Sequence, residues 1–284
     1  MRRTGALLVL LVLLTGCVRP EVEPTSGPTE PATTAPTAEP TQSPEPTAAP
    51  SNTWVYYLLD TRAGLRLARE AADVDPDDAV RLAVERMIAG PSDPDYSTPW
   101  NPSTTVLGID IAGGALSVDL SDDARTASIG SAGAALMIQQ LVYTATDAAG
   151  DEAMPVMLTI EGEPAGELWG AVVWDEPVTR EDPLDVRLLV QVDEPQEGAT
   201  VTSPATVSGD AAVFEANLLW SVLDAAGTEV QAGFTTTAEG QVFAPYEFVL
   251  ELEPGEYTVV ISESDPSDGE AGTPMSDSKS ITVS

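Results

Sequence analysis

The segment from Val18 to Asn52 limits which part of this 284-residue chain can form folded structure. It is built almost entirely from Pro, Thr, Glu, Ala and Ser, so it offers very little apolar surface for burial. Because such a composition cannot offset the entropy lost on ordering, we expect residues 17–52 to form a disordered tether with polyproline-II character. At about 3.1 Å per residue, the extended tether would measure on the order of 100 Å. Folded structure is therefore predicted to begin at Thr53.

Residues 1–16 have the features of a secretory signal peptide. Arg2 and Arg3 precede an apolar run from Ala6 to Leu14, which is too short to cross a hydrocarbon core of roughly 30 Å. The sequence Leu14-Thr15-Gly16-Cys17 resembles the bacterial lipoprotein box, which implies that Cys17 is lipidated and becomes the first residue of the mature protein. We predict attachment to the cell membrane through this lipid, with the folded part on the extracytoplasmic side. An ordinary signal peptide that contains a cysteine is the alternative.

The charge of the chain restricts its partners. The formal net charge is −34 at pH 7, and the carboxylates are spread along the sequence. Such a chain repels nucleic acid and anionic lipid head groups, so neither is expected as a partner. A solvated surface that keeps an exported protein soluble is the favoured interpretation, and an acidic binding face is the alternative.

The composition also restricts the chemistry that the chain can perform. It has no histidine, and Cys17 is its only cysteine, which excludes Ser–His–Asp and Cys–His catalysis and zinc sites built on imidazole or thiolate. Lys279 is the only lysine. A Ser–Lys dyad would require this lysine to be buried with a lowered pKa, and its Ser-rich surroundings do not indicate burial. We predict no catalytic residue, no cofactor and no metal site, and therefore no enzyme.

Residues 53–174 are predicted to form an α+β domain with a mixed sheet and two amphipathic helices. Strands are expected at Trp54–Leu59, Leu65–Glu70, Val106–Ile111, Ala115–Leu120 and Pro155–Gly162. The pair Gly113-Gly114 predicts a hairpin between the third and fourth of these.

The two helices of this domain are predicted from their end signals and apolar stripes. Asp75 is expected to be the N-cap of the first helix, with Pro76 at its first position, and Gly90-Pro91 is expected to end it. Its predicted buried stripe is Val80, Ala83, Val84, Met87 and Ile88. Ser131 is expected to cap the second helix. Its predicted buried face is Ala134, Ile138, Leu141, Val142 and Ala145.

These elements resemble, in their order and spacing, the GerM-type (GerMN) sporulation and spore-germination domain. The resemblance covers about residues 53–173 and includes the opening strand, the helix that ends at Gly90-Pro91 and the hairpin that ends in Val118-Asp119-Leu120-Ser121. It continues through the second helix and the strand Val156–Gly162. The resemblance implies a non-catalytic domain of an exported protein tied to the cell envelope.

Residues 175–185 are predicted to be an interdomain linker, and residues 186–284 an all-β sandwich without a disulfide. The expected strands are Val186–Val192, Ala205–Val207, Ala216–Val222, Glu229–Thr236, Tyr246–Leu252, Tyr257–Ser262 and Ser278–Val283. Trp220, Phe248 and Tyr257 are expected in its core.

This second part is similar to the immunoglobulin-like domain of bacterial spore germination proteins. The similarity rests on Val192–Gly198, Val201–Pro204, Val207–Ala211 and the step Phe214-Glu215-Ala216. The acidic Ser264–Gly269 turn matches the family's C-terminal region. Together with the first resemblance, it implies a two-domain protein behind a lipoprotein box.

Three groups of residues are candidate sites, each with a simpler interpretation. Glu215 is expected to fix its loop through backbone N–H groups, the alternative being a ligand-facing carboxylate. Asp265, Asp268 and Glu270 could hold calcium weakly, although turn formation is favoured. Trp100, Trp169 and Trp174 could form a binding patch for sugar or protein, although packing is favoured for each.

Three functions remain open from the sequence. The favoured one is a lipid-anchored envelope protein, with possible links to sporulation, germination or envelope assembly, that binds or scaffolds other envelope proteins. The second is a module that binds peptidoglycan or another wall glycan, which should show an exposed row of aromatic residues. The third is a hydrolase with two carboxylates about 5–10 Å apart in a cleft.

Overall fold

The computed structural model describes residues 51–127, 129–265, 270 and 272–284. The predicted signal peptide, Cys17 and almost all of the predicted tether therefore lie outside the described residues. Within the described part, no helix is both long and apolar enough to cross a membrane. The two predicted domains belong to one compact unit that extends to Ser284.

The first domain contains short sheets and two long helices, as the α+β prediction requires. Its strands are β1 (Ser51–Thr61), β2 (Gly64–Val74), β3 (Val106–Ala112), β4 (Ala115–Leu120), β5 (Val156–Ile160), β6 (Glu163–Pro164), β7 (Gly166–Leu168) and β8 (Val172–Trp174). Its helices are α1 (Ala79–Ala89) and α2 (Ser131–Ala148). Strands β1 and β2 form a hairpin, and the sheet β3-β4-β5-β6 is mixed because β4 and β5 run parallel.

Helix α1 begins as predicted, with a tighter first turn. Asp75 caps a 3-10 turn over Pro76–Asp78, where its carboxylate accepts a hydrogen bond from the Asp77 N–H at 3.1 Å. The α-helix then starts at Ala79 and ends at Gly90, whose φ of 105° suits glycine. All five residues of the predicted stripe are buried, so that prediction is confirmed.

Helix α2 begins at Ser131, but Ser131 is not its cap. Gly130 occupies the N-cap position, and no side chain makes a capping hydrogen bond there. All five residues of the predicted apolar face are buried. The opposite face is buried too, because the β1–β2 hairpin covers it. Thr144 accepts a hydrogen bond from the Tyr56 N–H at 3.0 Å, and Gln140 donates one to the Tyr56 carbonyl at 3.0 Å.

The second domain is an all-β sandwich, as predicted. It follows the short helix α3 (Pro183–Val186) and contains β9 (Val190–Glu194), β10 (Ala199–Val201), β11 (Ala205–Ala211), β12 (Asn217–Asp224), β13 (Glu229–Thr236), β14 (Ala244–Leu250), β15 (Gly255–Glu263) and β16 (Ser276–Val283). One sheet has the order β14-β11-β9, and the other has the order β10-β16-β15-β12-β13. Strand β13 lies at an edge of the larger sheet.

The centre of the sandwich is aliphatic, with Val207, Leu218, Val222, Val259 and Ile261 among its fully buried residues. The predicted core aromatics are only partly buried and pack against this centre. These residues are Trp220, Phe248 and Tyr257. The rings of Trp220 and Phe248 stack with their centroids 5.1 Å apart. Gly233 lies under the Trp220 ring, where a Cβ atom would come within 2.5 Å of the indole.

Candidate functional site

The two domains are joined through strand β2 and the start of the sandwich. The Leu188 N–H donates to the Leu67 carbonyl at 2.8 Å. The Gln191 side chain binds the backbone of Arg69 on both sides, since its oxygen accepts from the Arg69 N–H at 3.0 Å and its amide donates to the Arg69 carbonyl at 3.3 Å. These contacts hold one domain directly against the other.

Lys279 lies at the centre of this junction, contrary to the expectation of exposure. Its Nζ donates to Asp93 Oδ2 at 2.5 Å and to the Tyr96 hydroxyl at 2.6 Å, and it lies 3.3 Å from Asp277 Oδ1. The Lys279 side chain is 3% exposed, and both aspartates are 1% exposed. Asp93 and Tyr96 belong to the loop after α1, so residues of both domains form this group, which we call the junction cluster.

The alternation of strand β16 explains the burial of Lys279. Four residues of this strand are buried, and the residues between them, Ser278, Ser280 and Thr282, are half-exposed or exposed; the buried residues are Asp277, Lys279, Ile281 and Val283. The Ser-rich composition therefore describes only one face of the strand. The period of two from Val283 back to Asp277 was the sequence signal that could have placed Lys279 inside.

Each carboxylate oxygen of Asp277 accepts at least two hydrogen bonds. Its Oδ1 accepts from the Tyr96 hydroxyl at 2.7 Å and from the Ser278 N–H at 3.0 Å. Its Oδ2 accepts from the Gln191 amide at 2.9 Å and from the Val192 N–H at 2.7 Å. Because all of these groups donate, they stabilise a charged carboxylate at a position from which water is excluded.

The electrostatics of the junction cluster argue against a Ser–Lys dyad. Burial alone would lower the pKa of Lys279, but the charges of Asp277 and Asp93 outweigh it and raise that pKa above its ordinary value. A dyad needs the opposite shift. Burial raises the pKa of Asp277, while Lys279 and the Val192 N–H act against this rise. In the folded protein the cluster is an ion pair flanked by a second carboxylate.

We expect Lys279→Met to destabilise the fold strongly. The substitution keeps the apolar stem but leaves Asp93 and Asp277 buried without a counter-charge, and breaking a buried pair in this way costs about 3–5 kcal/mol. Urea denaturation at pH 7, followed by tryptophan fluorescence, measures the free energy of unfolding.

Arg62→Met is the matched control for this substitution, because it also removes a cation at the junction. Arg62 lies 2.6 Å from Glu263, but these side chains are 29% and 14% exposed, so we expect a loss of only about 0–1 kcal/mol. Equal losses for the two variants would contradict a dominant role of the junction cluster.

A polar cleft of about 590 Å³ lies beside the junction. Three arginines line it, together with Trp54, Tyr143 and several carboxylates. Arg69 pairs with Asp193 at 2.7 Å and lies over the Trp54 ring at 4.3 Å. The other two arginines, Arg180 and Arg187, are also paired with carboxylates. The cleft therefore combines aromatic surface with compensated charge.

The three tryptophans considered as a binding patch pack into the first domain. Trp100 and Trp174 are buried in its core, and Trp169 is half-buried against it. The rings of Trp100 and Trp169 meet edge to face at 5.6 Å, and the Trp169 indole donates to the Ala124 carbonyl at 3.0 Å. These residues do not form an exposed aromatic row.

The remaining candidates lie on loops. Glu215 is exposed and has a φ of 53°, and backbone hydrogen bonds hold its loop, including Gln241 N–H to the Val213 carbonyl at 2.9 Å. Of the proposed calcium ligands, Asp268 lies outside the described residues. Within the described ranges, no group of three or more Asp, Glu, His or Cys side chains is arranged to hold a metal ion.

Two family models match the chain, and both resemblances seen in the sequence are thereby confirmed. Residues 54–166 match the model described as "Sporulation and spore germination". Residues 189–270 match the model described as "Immunoglobulin-like domain of bacterial spore germination". No curated protein matches the chain.

Similar solved structures include the tandem GerMN domains of the sporulation protein GerM from Bacillus subtilis, at 17% identity and a TM-score of 0.36. That match covers 50% of this chain and 48% of the tandem protein, so the chain spans about half of its length. The first GerMN domain of the same protein matches at 18% identity and a TM-score of 0.37, covering 46% of this chain and 99% of that domain. CopC from Methylosinus trichosporium OB3b matches at 24% identity and a TM-score of 0.26, covering 34% and 91% of the two chains. Scores this low support no functional argument.

Proposed function

We propose that this chain, whose residues 54–166 and 189–270 match the models for sporulation and spore germination and for the immunoglobulin-like domain of bacterial spore germination, is a non-catalytic envelope protein that docks a partner protein. In this proposal a lipid on Cys17 anchors it to the extracytoplasmic side of the cell membrane. The two domains act as one docking body because the junction cluster and the β2 contacts hold them together. Sporulation, germination and envelope assembly are the processes in which such a module would act.

The observation that carries the proposal is an uncharged surface on the larger sheet of the sandwich, where two large apolar side chains are exposed. Phe234 on the edge strand β13 is 72% exposed, and its cross-strand partner Leu219 is 43% exposed. The next outward row contains Ser221, Ala232 and Val260, and Ser262 lies beside Leu219. We call these six residues the outer face. None of them is charged, in a chain whose formal net charge is −34.

The charge distribution indicates the kind of partner that the outer face fits. Two acidic surfaces repel each other, so the approach of a second copy of this chain is opposed by electrostatic repulsion. This repulsion increases with the area of the two surfaces that are brought together. A flat, uncharged surface of another envelope protein, with apolar side chains to cover Phe234 and Leu219, meets no such penalty. We therefore assign the outer face to a different protein with an apolar docking surface.

We expect Phe234→Asp to abolish capture of this partner. Truncating or charging a central exposed aromatic of an interface typically costs about 2 kcal/mol or more, which is over tenfold in affinity. Cross-linking of the anchored protein in intact cells, followed by identification of the linked molecules, measures this loss.

Val173→Asp is the control, because Val173 is 62% exposed on β8 of the first domain and lies off the outer face. Partner capture should persist in this variant. A partner that both variants retain would overturn the assignment of the outer face, and so would linkage to a second copy of the chain.

Wall-glycan binding is the second candidate, and the polar cleft favours it. Trp54 and Tyr143 line it beside paired arginines and carboxylates, a combination that suits a polar ligand. If glycan fragments replace a protein among the cross-linked products, and Phe234→Asp leaves them unchanged, the cleft becomes the binding site.

A further inference from the structure

An amine and a carboxyl group from different domains are in contact inside the junction cluster. Lys279 belongs to β16 of the sandwich, and Asp93 belongs to the loop after α1 of the first domain. Their Nζ and Oδ2 atoms are 2.5 Å apart, and both side chains are almost fully buried. Such a pair contains the two reactants of amide formation, held together away from water.

We propose that Lys279 and Asp93 condense to an amide bond that joins the two domains covalently. The Nζ atom of Lys279 attacks Cγ of Asp93, the new C–N bond forms, one C–O bond breaks, and the oxygen leaves as water. One ammonium and one carboxylate become one neutral amide and one water molecule. Atoms, charge and electrons therefore balance without an oxidant or a co-reactant.

Asp277 is placed to carry the proton in this reaction. Lys279 becomes nucleophilic only after it loses a proton, and Asp277 Oδ1 lies 3.3 Å from Nζ. Nζ loses two protons in all, and Asp277 passes both of them to the oxygen of Asp93, which then leaves as water. Lys279 is protonated at rest because its pKa is raised, but burial penalises both charges of the pair and raises the pKa of Asp277, so a proton can pass from Nζ to Asp277 within this dry site.

The fixed contact between the two side chains favours the reaction. Fixed contact between reactants replaces a bimolecular encounter and lowers the entropic part of the barrier. Condensation neutralises Lys279 and Asp93 together, so only Asp277 loses a cationic partner, and it keeps its four neutral donors, Tyr96, Gln191, Val192 and Ser278. A cavity of 320 Å³ bordered by Asp277 and Asp95 gives the released water a place to go. This inference goes beyond docking and does not depend on it.

Trypsin digestion of the denatured full chain tests the bond directly. No lysine or arginine lies between Arg187 and Lys279, and none lies between Arg86 and Arg125. A chain with the bond should yield peptide 87–125 attached to peptide 188–284, at the sum of their masses less one water, because trypsin does not cleave after an amide-linked lysine. Separate peptides 87–125 and 188–279 would overturn the proposal, and so would fragment spectra that place the link on Asp277.

Variants of the three reacting residues extend the test. Lys279→Arg keeps the positive charge and should give no linked peptide. Asp93→Asn should give the same linked product with loss of ammonia, whereas Asp93→Ala should give none. Asp277→Asn should slow linkage by about 10²–10⁴-fold, while Asp95→Asn, a neighbouring carboxylate that bonds Ser278 at 2.8 Å, should leave it unchanged. Full linkage in Asp277→Asn would overturn its role as proton carrier.

Discussion

Replacing Cys17 by alanine is expected to move the protein from the membrane fraction to the medium, or to leave it unprocessed with its signal peptide attached. Cys17 is the only cysteine of the chain, so no other thiol can accept the lipid. A single acyl chain gives only marginal binding, and stable anchoring needs several chains on the same residue. Fractionation of cells, with detection of the protein and of incorporated fatty acid, measures the result.

Thr25→Ala in the predicted tether is the control, and it should leave both processing and membrane retention unchanged. If Cys17→Ala is processed normally and remains on the membrane, lipid anchoring at Cys17 is wrong. The docking module would then need another means of attachment to the envelope.

Above pH 10 the protein is expected to lose stability steeply and to unfold. Burial raises the pKa of five tyrosines, and that of Tyr143 rises to about 12. These tyrosines are Tyr56, Tyr57, Tyr96, Tyr143 and Tyr246. In the unfolded chain each loses its proton near pH 10, whereas the folded chain retains it, so stability is present below about pH 10 and is lost as the pH rises above it.

The size of this effect follows from the number of groups. Each tyrosine removes about 1.4 kcal/mol per pH unit above 10 while its folded form stays protonated. Five such groups together lower the free energy of unfolding by an amount comparable to the roughly 5–15 kcal/mol that stabilises a typical fold. The hydroxyls also donate to fixed acceptors, such as Tyr246 to the Gln191 carbonyl at 3.0 Å and Tyr143 to the Glu181 carbonyl at 2.7 Å, and a phenolate would repel these oxygens.

Urea denaturation at pH 9, 10 and 11 checks this prediction, together with the absorbance of tyrosinate. We expect tyrosinate to appear in one step with loss of tryptophan fluorescence. Tyr246→Phe removes one of these groups, so the free energy of unfolding should fall less steeply as the pH rises, by about 1.4 kcal/mol per pH unit. Gradual titration of all six tyrosines in a chain that stays folded would contradict the prediction.

Local sequence signals were sufficient for most of the secondary structure. The Gly113-Gly114 pair predicts the β3–β4 hairpin because both glycines adopt positive φ angles there, 63° and 81°. Asp75 and Pro76 predict the start of α1, because an aspartate at the N-cap accepts a hydrogen bond from a free backbone N–H and proline has no N–H that needs a partner. Gly90 predicts the end of the helix. The order of elements also identified both families, which the two family models confirm.

Predictions failed where contacts between distant segments decide the outcome. Ser131 was expected to cap α2, but Gly130 holds that position. Trp220, Phe248 and Tyr257 were expected in the sandwich core, but the aliphatic residues fill it and leave the rings at its margin. For the aromatic residues, packing against another element set the final position, whereas the cap of α2 differs from the prediction by a single residue.

Most strands, both long helices, their buried stripes and the excess of negative charge can be read from the sequence, because these features depend on residue type and on spacing within a few positions. The ion-pair partners of Lys279, in contrast, depend on the packing of distant segments. Its neighbours in sequence are serines, while its partners Asp93 and Tyr96 lie more than 180 positions away. The alternation of β16 can place Lys279 on the inward face, but the groups that pair with its charge are known only when the two domains pack together.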